Sequence, residues 1–206
     1  MPLNLGGGEG KPYIRFSPSI KAWEMSSPEG KTEFTWDAPA VFDIAGLQLG
    51  WLKIDAQGRD WIPWPSITNR LPQPEEKDRD GNPTYKLGFR IDVVSTKLFG
   101  DEPVREFSAN TFGNLTFIQE LYNHCEENPE FKSGKAPVVQ ITGSTPMKVG
   151  KGNTRVPNFK LAGWVARPAG MNADGGDEFE PEPAPAPVRK AAKPAPAPVM
   201  DDEEFF

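Results

Sequence analysis

The chain has 206 residues, and its formal charge of −6 is confined to one end. Met171 to Phe206 holds 7 of the 23 prolines and nine acids against three bases, so this segment carries the whole −6, and residues 1–170 are neutral, with 20 acids and 20 bases. A single cysteine, Cys125, excludes an intramolecular disulfide, and with a single histidine, His124, no Cys/His zinc site can be assembled.

Val188, Val199, Phe179, Phe205 and Phe206 are the only large aliphatics or phenylalanines of that last segment. They are too few to offset the entropy lost on ordering a chain, so the composition predicts a disordered tail behind one β-rich domain. The expected division is a flexible N-terminus at 1–11, a folded body at 12–170, a Pro/Ala-rich linker at 171–199 and an acidic tip at 200–206. No apolar run approaches the roughly 18 residues of a membrane span, and the glycine-rich start lacks the pattern of a signal peptide. A soluble cytoplasmic protein without membrane contact is expected.

From Pro12 onward, prolines and glycines interrupt the chain every few residues, which leaves room for short strands and little for helices. A segment from Ala40 to Ile54 is apolar enough for one long strand or two short ones, with Gly46 and Gly50 marking a bend or bulge. Arg59 to Trp64 reads as another strand. Between Arg70 and Pro83 a charged run ends in Asp80-Gly81-Asn82-Pro83, strong turn chemistry, and predicts a long exposed hairpin loop. The clearest strand is Tyr85 to Val93. There Tyr85, Leu87, Phe89, Ile91 and Val93 alternate with Lys86, Gly88, Arg90 and Asp92, placing the first set on a core face and the second toward solvent or a ligand.

Val104 to Ala109, Pro137 to Thr142 and Asn158 to Ala166 are further strand candidates. One helix is predicted after Asn114, which can cap it; Leu115, Ile118, Leu121, Tyr122 and Cys125 recur at helical spacing, and Asn128-Pro129 ends it. Five to seven short strands with one helix suit a small barrel of the oligonucleotide-binding type, with a sandwich as the alternative.

Charge is uneven within the neutral body. From Phe131 to Ala173 there are seven bases, Lys132, Lys135, Lys148, Lys151, Arg155, Lys160 and Arg167, and no acid. Such a stretch favours a polyanion running past it. Residues 143–155 read as a flexible hairpin loop carrying Lys148, Lys151 and Arg155. The strand that follows puts Lys160 and Trp164 on one face and Phe159, Leu161 and Val165 on the other. A cation beside an exposed indole combines phosphate neutralisation with a stacking platform, the two needs of single-stranded nucleic acid. The five earlier tryptophans, Trp23, Trp36, Trp51, Trp61 and Trp64, are expected mainly in the core.

Catalytic and cofactor signals are absent. His124 and Cys125 are adjacent in the helix and diverge by about 100°, so they do not form a base and nucleophile pair. No phosphate-cradling glycine motif precedes a helix. Glu75, Glu76, Asp78 and Asp80 can bind a metal in principle, but a solubilising charged loop is the simpler expectation.

The alternating Pro-Ala linker delivers Asp201-Asp202-Glu203-Glu204-Phe205-Phe206 at the C-terminus. Acids steer toward a basic patch, a phenyl ring fills a pocket, and an arginine grips a terminal carboxylate, so this tip reads as a partner ligand. With the linker and the β-rich basic body, the tip resembles that of the single-stranded DNA-binding proteins of bacteria and their phages. Bacterial members typically finish with acids and an Ile-Pro-Phe ending; the Phe-Phe ending here is closer to phage versions.

The resemblance implies a barrel that coats single-stranded DNA without sequence preference during replication, recombination or repair and recruits other proteins through the tip. The family also admits homo-oligomers. On this reading Lys148, Lys151, Arg155 and Lys160 follow the backbone, Lys86, Arg90 and Trp164 lie along the same groove, and Trp51 or Trp64 adds a second stacking platform. The alternatives are a phage structural or scaffold protein whose acidic tail contacts a partner without DNA binding, and a nuclease or polymerase accessory enzyme using the Glu75 to Asp80 cluster with a divalent ion.

Overall fold

The computed structural model describes residues 11–55, 58–150, 152–168 and 171. The expected N-terminal segment before Lys11, the linker after Met171 and the acidic tip lie outside the described residues.

At the centre of the fold is the strand β7, Lys86–Val94, the one whose alternation is plainest. Phe89, Ile91 and Val93 are fully buried on one face, as the period of two requires. On one flank β7 pairs with β8, Val104–Ala109, so that Ile91 faces Phe107. On the other flank it pairs with two short strands in succession, β4, Ala40–Phe42, and β5, Gln48–Asp55. Between these two the chain makes one 3-10 turn, Ile44–Gly46, capped by the Asp43 carboxylate accepting from the Gly46 N–H.

Gly50 has a different role from the bend assigned to it. A Cβ there would lie 2.4 Å from the Ile62 carbonyl oxygen and 2.9 Å from the Trp61 ring, so glycine permits close approach of β6, Gly58–Pro63.

The N-terminal strands were not anticipated. β1, Tyr13–Ser17, pairs parallel with β8 and antiparallel with β2, Ala22–Ser27, which pairs with β3, Gly30–Phe34. At the other end the long strands β9, Lys135–Val149, and β10, Gly152–Ala166, pair with each other, and β9 joins β4. The result is mainly β: a ten-stranded sheet, β10-β9-β4-β7-β8-β1-β2-β3 with β5 and β6 branching from β7, curled into half a barrel. The expected five to seven strands fall short of this because β1 to β3 were not read; of the two readings for Ala40 to Ile54, the two-strand one is observed.

Helices are few among the described residues: α1, Thr96–Phe99, α2, Phe112–Glu126, and α3, Pro129–Lys132. α2 plugs the core face of the sheet. The Phe117 ring meets Phe42 at 6.1 Å, Phe107 at 6.2 Å and Phe159 at 5.6 Å. Phe117, Ile118, Leu121 and Cys125 are all buried, and full burial of each large apolar side chain is worth roughly 1.5–3 kcal/mol.

The helix starts earlier than its apolar spacing suggests. Thr111 is the cap residue and makes no side-chain cap bond, whereas Asn114 lies inside the first turn, 1% exposed, with its Nδ2 donating to the Phe16 carbonyl. Asn114 therefore ties α2 to β1 instead of capping the helix. Of the five tryptophans expected mainly in the core, Trp23, beside Phe16 and Trp36, and Trp51 are buried, while Trp36, Trp61 and Trp64 are half-buried.

The charged run after Arg70 does not close a hairpin. β5 lies between β6 and β7 in the sheet, so residues 64–85 cross β5 to reach β7. The Trp64 N–H donates to the Leu49 carbonyl, and the Trp51 indole N–H donates to the Leu71 carbonyl at 3.1 Å. The anticipated turn does form at its far end. Asp78 accepts from the backbone N–H groups of Asp80 and Asn82, bonds that hold its carboxyl below the usual aspartate range, and Gly81 sits at φ 81°.

Candidate nucleic-acid interface

The second face of β7 is less open than its polar residues suggest. Asp92 is 1% exposed and bound by the Lys11 ammonium at 2.6 Å, and Arg90 pairs with Glu106 on β8 at 3.3 Å. The β5–β6 hairpin curls over this face. Its Arg59 donates to Glu106 at 3.1 Å, bonds the Ser108 hydroxyl, and lies over the Tyr13 ring at 5.0 Å. Gly88 is covered by Leu52. Thus Arg90 is engaged in an ion-paired layer, while Lys86 is exposed at the start of β7.

The other cluster is an arm made by β9 and β10, 15 residues each. Pairing runs from Lys135 opposite Ala166 to Val149 opposite Gly152, so the expected flexible loop at 143–155 is a continuous ladder with a two-residue turn. Gly150 takes the left-handed φ of 57° that this tight turn requires. Cross-strand pairs such as Thr145 with Val156 give the ladder β-branched contacts that its glycines and charges concealed.

Neither arm strand contains an acid. Lys148 is exposed opposite Asn153, and Lys160 is exposed opposite Gln140. Arg155 is half-buried, its Nε donating to the Ser144 hydroxyl at 2.9 Å and its Nη2 to the Ser144 carbonyl at 2.6 Å, which fixes the cation along the ladder. Lys151 lies outside the described residues. Of the other bases in the acid-free run, Lys135 pairs with Glu130, and Arg167 grips buried Asp43 through two bonds of 2.8 Å.

Trp164 departs from its expected side. Leu161 faces Val139 while Gly163 faces Val138, so Ala162 is an extra bulged residue that reverses the alternation beyond it. Trp164 accordingly packs with Phe159 and Leu161 against the core, 6.5 Å from Phe131, and Val165 turns outward at 38% exposed. Lys160 and Trp164 do not share a face.

Trp51 is likewise not an open platform, at 2% exposed. Arg70 stacks over it at 4.8 Å and over half-buried Trp64 at 5.7 Å. Sequence reading missed this arginine; an isolated cation next to a tryptophan-rich segment is the signal that was there to find. Lys86 is also remote from the arm in register: β9 runs parallel to β7 across β4, so its distal half continues past Val94, the opposite end of β7. The structure therefore carries Lys148, Arg155 and Lys160 on the two arm strands, Lys148 and Arg155 at positions of one face, and leaves Lys86, Arg90, Trp51 and Trp64 elsewhere on the sheet.

Among the described residues no group of three or more His, Cys, Asp or Glu is placed to hold a metal ion. Within the acidic run, Glu76 pairs with Lys53 and Asp78 serves its turn. His124 lies edge-on to Phe159 at 5.5 Å with its Nδ1 2.9 Å from the Glu120 carbonyl.

Cys125 is fully buried, and burial pushes its thiol up to about 12. The thiol is therefore expected to resist iodoacetamide in the native protein and to react fully in denaturant. Because the folded thiol holds its proton more tightly than an unfolded one, its contribution to stability is complete below about pH 8.5 and is lost as pH rises toward about 12. A denaturation series showing flat stability over that range rejects the assignment.

No family model, no curated protein and no solved structure matches this chain.

Proposed function

We propose that the protein is a single-stranded DNA-binding protein whose contact surface is the β9–β10 arm. The observation that carries this reading is the arm itself: two paired strands of 15 residues without an acid, presenting Lys148 and Lys160 to solvent with Arg155 fixed between them in sequence. Backbone phosphates take up cations spaced along such a ladder without regard to base sequence. A curled sheet plugged by one helix is compatible with a barrel of the oligonucleotide-binding type, the finer fold assignment that this function favours.

In this proposal the protein coats strands exposed during replication, recombination or repair in a bacterial cytoplasm or a phage-infected one. Asp201 to Phe206 then recruit replication or recombination proteins. No cofactor or catalytic residue is required.

Titration of the full chain with labelled oligo-dT tests the reading. Four backbone contacts, from Lys148, Lys151, Arg155 and Lys160, correspond to a log–log salt slope of about −2.8, or about 50-fold weaker binding at 200 mM than at 50 mM salt. Duplex DNA of equal length binds more weakly, and a chain lacking Asp201 to Phe206 binds oligo-dT as tightly or more tightly. A flat salt response, or no binding, rejects the proposal in favour of a protein-scaffold role.

A further inference from the structure

We propose that Phe112 is a base-stacking platform for single-stranded nucleic acid lying along the arm. This rests on reading the arm as the DNA-binding surface and adds to it the aromatic contact that Trp164, turned into the core, does not provide.

Four large apolar side chains are exposed among the described residues, Ile20, Ile54, Phe112 and Val165, and Phe112, at 53%, is the aromatic one. It is the first residue of α2, yet the helix is held to the sheet by Phe117, Ile118, Leu121 and Cys125, all buried, so its attachment does not depend on the Phe112 ring. Its position relative to the arm is fixed by its neighbour. A Cβ on Gly113 would lie 2.1 Å from the Arg155 carbonyl oxygen and 3.0 Å from the Thr154 hydroxyl, so the helix start is pressed directly onto β10. Phe112 therefore stands at the Thr154–Arg155 backbone of β10, on the face that Thr154 takes, while the Arg155 guanidinium is held by Ser144 of β9.

The first turn of α2 carries no acid, and β9 and β10 carry none. A strand drawn to the arm by its phosphates thus meets an exposed phenyl face without like-charge repulsion. Stacking needs a π-face and tolerates every base, which suits a surface without sequence preference. The charge around the ring favours a polyanion as its occupant over a second copy of this acidic chain.

The test compares the full wild-type chain with Phe112→Ala and Phe112→Trp, using fluorescein-labelled oligo-dT and a strand of the same length in which abasic residues replace the central thymidines. Phe112→Ala is expected to weaken oligo-dT binding about 5- to 150-fold at an unchanged salt slope. The abasic strand binds wild type and Phe112→Ala alike, and Phe112→Trp retains wild-type affinity for oligo-dT.

Equal oligo-dT affinity for wild type and Phe112→Ala overturns the stacking role and leaves the arm reading standing. Equal losses on both strands show damage to the arm and also overturn it, as does a change in oligomeric state without a change in oligo-dT affinity. Failure of the wild-type chain to bind oligo-dT overturns the arm reading, and this inference with it.

Discussion

Replacing Arg167 with alanine is expected to destabilise the fold by about 3 kcal/mol. Asp43 is completely buried, and Arg167 holds both of its oxygens at 2.8 Å from a position 38% exposed. Removing the arginine takes both charge-assisted bonds from a buried carboxylate; the lower end of the usual cost applies because water reaches the arginine side. The Gly46 N–H is a neutral donor and does not replace the guanidinium charge. The Asp43 hydrogen bond also holds the guanidinium above its ordinary pKa, so the arginine remains charged at any working pH.

For a chain of this size the loss corresponds to a fall in Tm of about 6–12 °C, read by calorimetry or circular dichroism. Asp43→Asn, which keeps an acceptor for Gly46 and removes the buried charge, should cost less than Arg167→Ala. A Tm change below about 2 °C for Arg167→Ala would show that the pair is not a structural anchor. The consequence for function is local: Arg167 follows β10 directly, so the pair ties the base of the arm to the turn between β4 and β5.

What was legible in the sequence follows the strength of local signals. β7 was readable because five apolar residues alternate without interruption, and β8 was found at its observed boundaries. β1 also alternates, with Ile14 and Phe16 buried, but five residues ahead of Pro18 are too short for a distinct period. β3 is mostly exposed, so hydrophobicity says nothing about it; its pairing with β2 is what makes it a strand. The crossing of β5 by residues 64–85 is a matter of topology, and turn chemistry such as Asp78 to Asn82 looks the same in a hairpin as in a crossover.

For the candidate interface, the acid-free run was readable as composition, whereas its geometry depended on single residues. Ala162 is an unremarkable alanine in sequence, and only the unequal register on its two sides shows that it reverses the side taken by Trp164. Ion partners contributed by distant acids, Asp43 for Arg167 and Glu106 for Arg90, likewise have no local signal. The seven bases of the run therefore overstate the free charge. Among the described residues, its exposed arm cations outside ion pairs, Lys148 and Lys160, are the ones that matter for a polyanion.

The double substitution Lys148→Glu with Lys160→Glu is accordingly expected to remove most single-stranded DNA binding while leaving the fold intact. Each single-strand phosphate contact contributes about 0.7 to the log–log salt slope, hence about 0.7 decades of affinity at 0.1 M salt. Neutral substitution of both lysines therefore costs about 25-fold, and reversal, which adds repulsion on a surface otherwise free of acids, costs about 100-fold. Both side chains are exposed, so Tm should stay within about 2 °C of wild type. The matched control is Lys86→Glu, a single reversal at the far end of β7, expected to weaken binding less than tenfold. Equal losses from Lys86→Glu and the double variant would move the interface from the arm to the β7 face; no loss from either would remove the electrostatic basis of the proposed function.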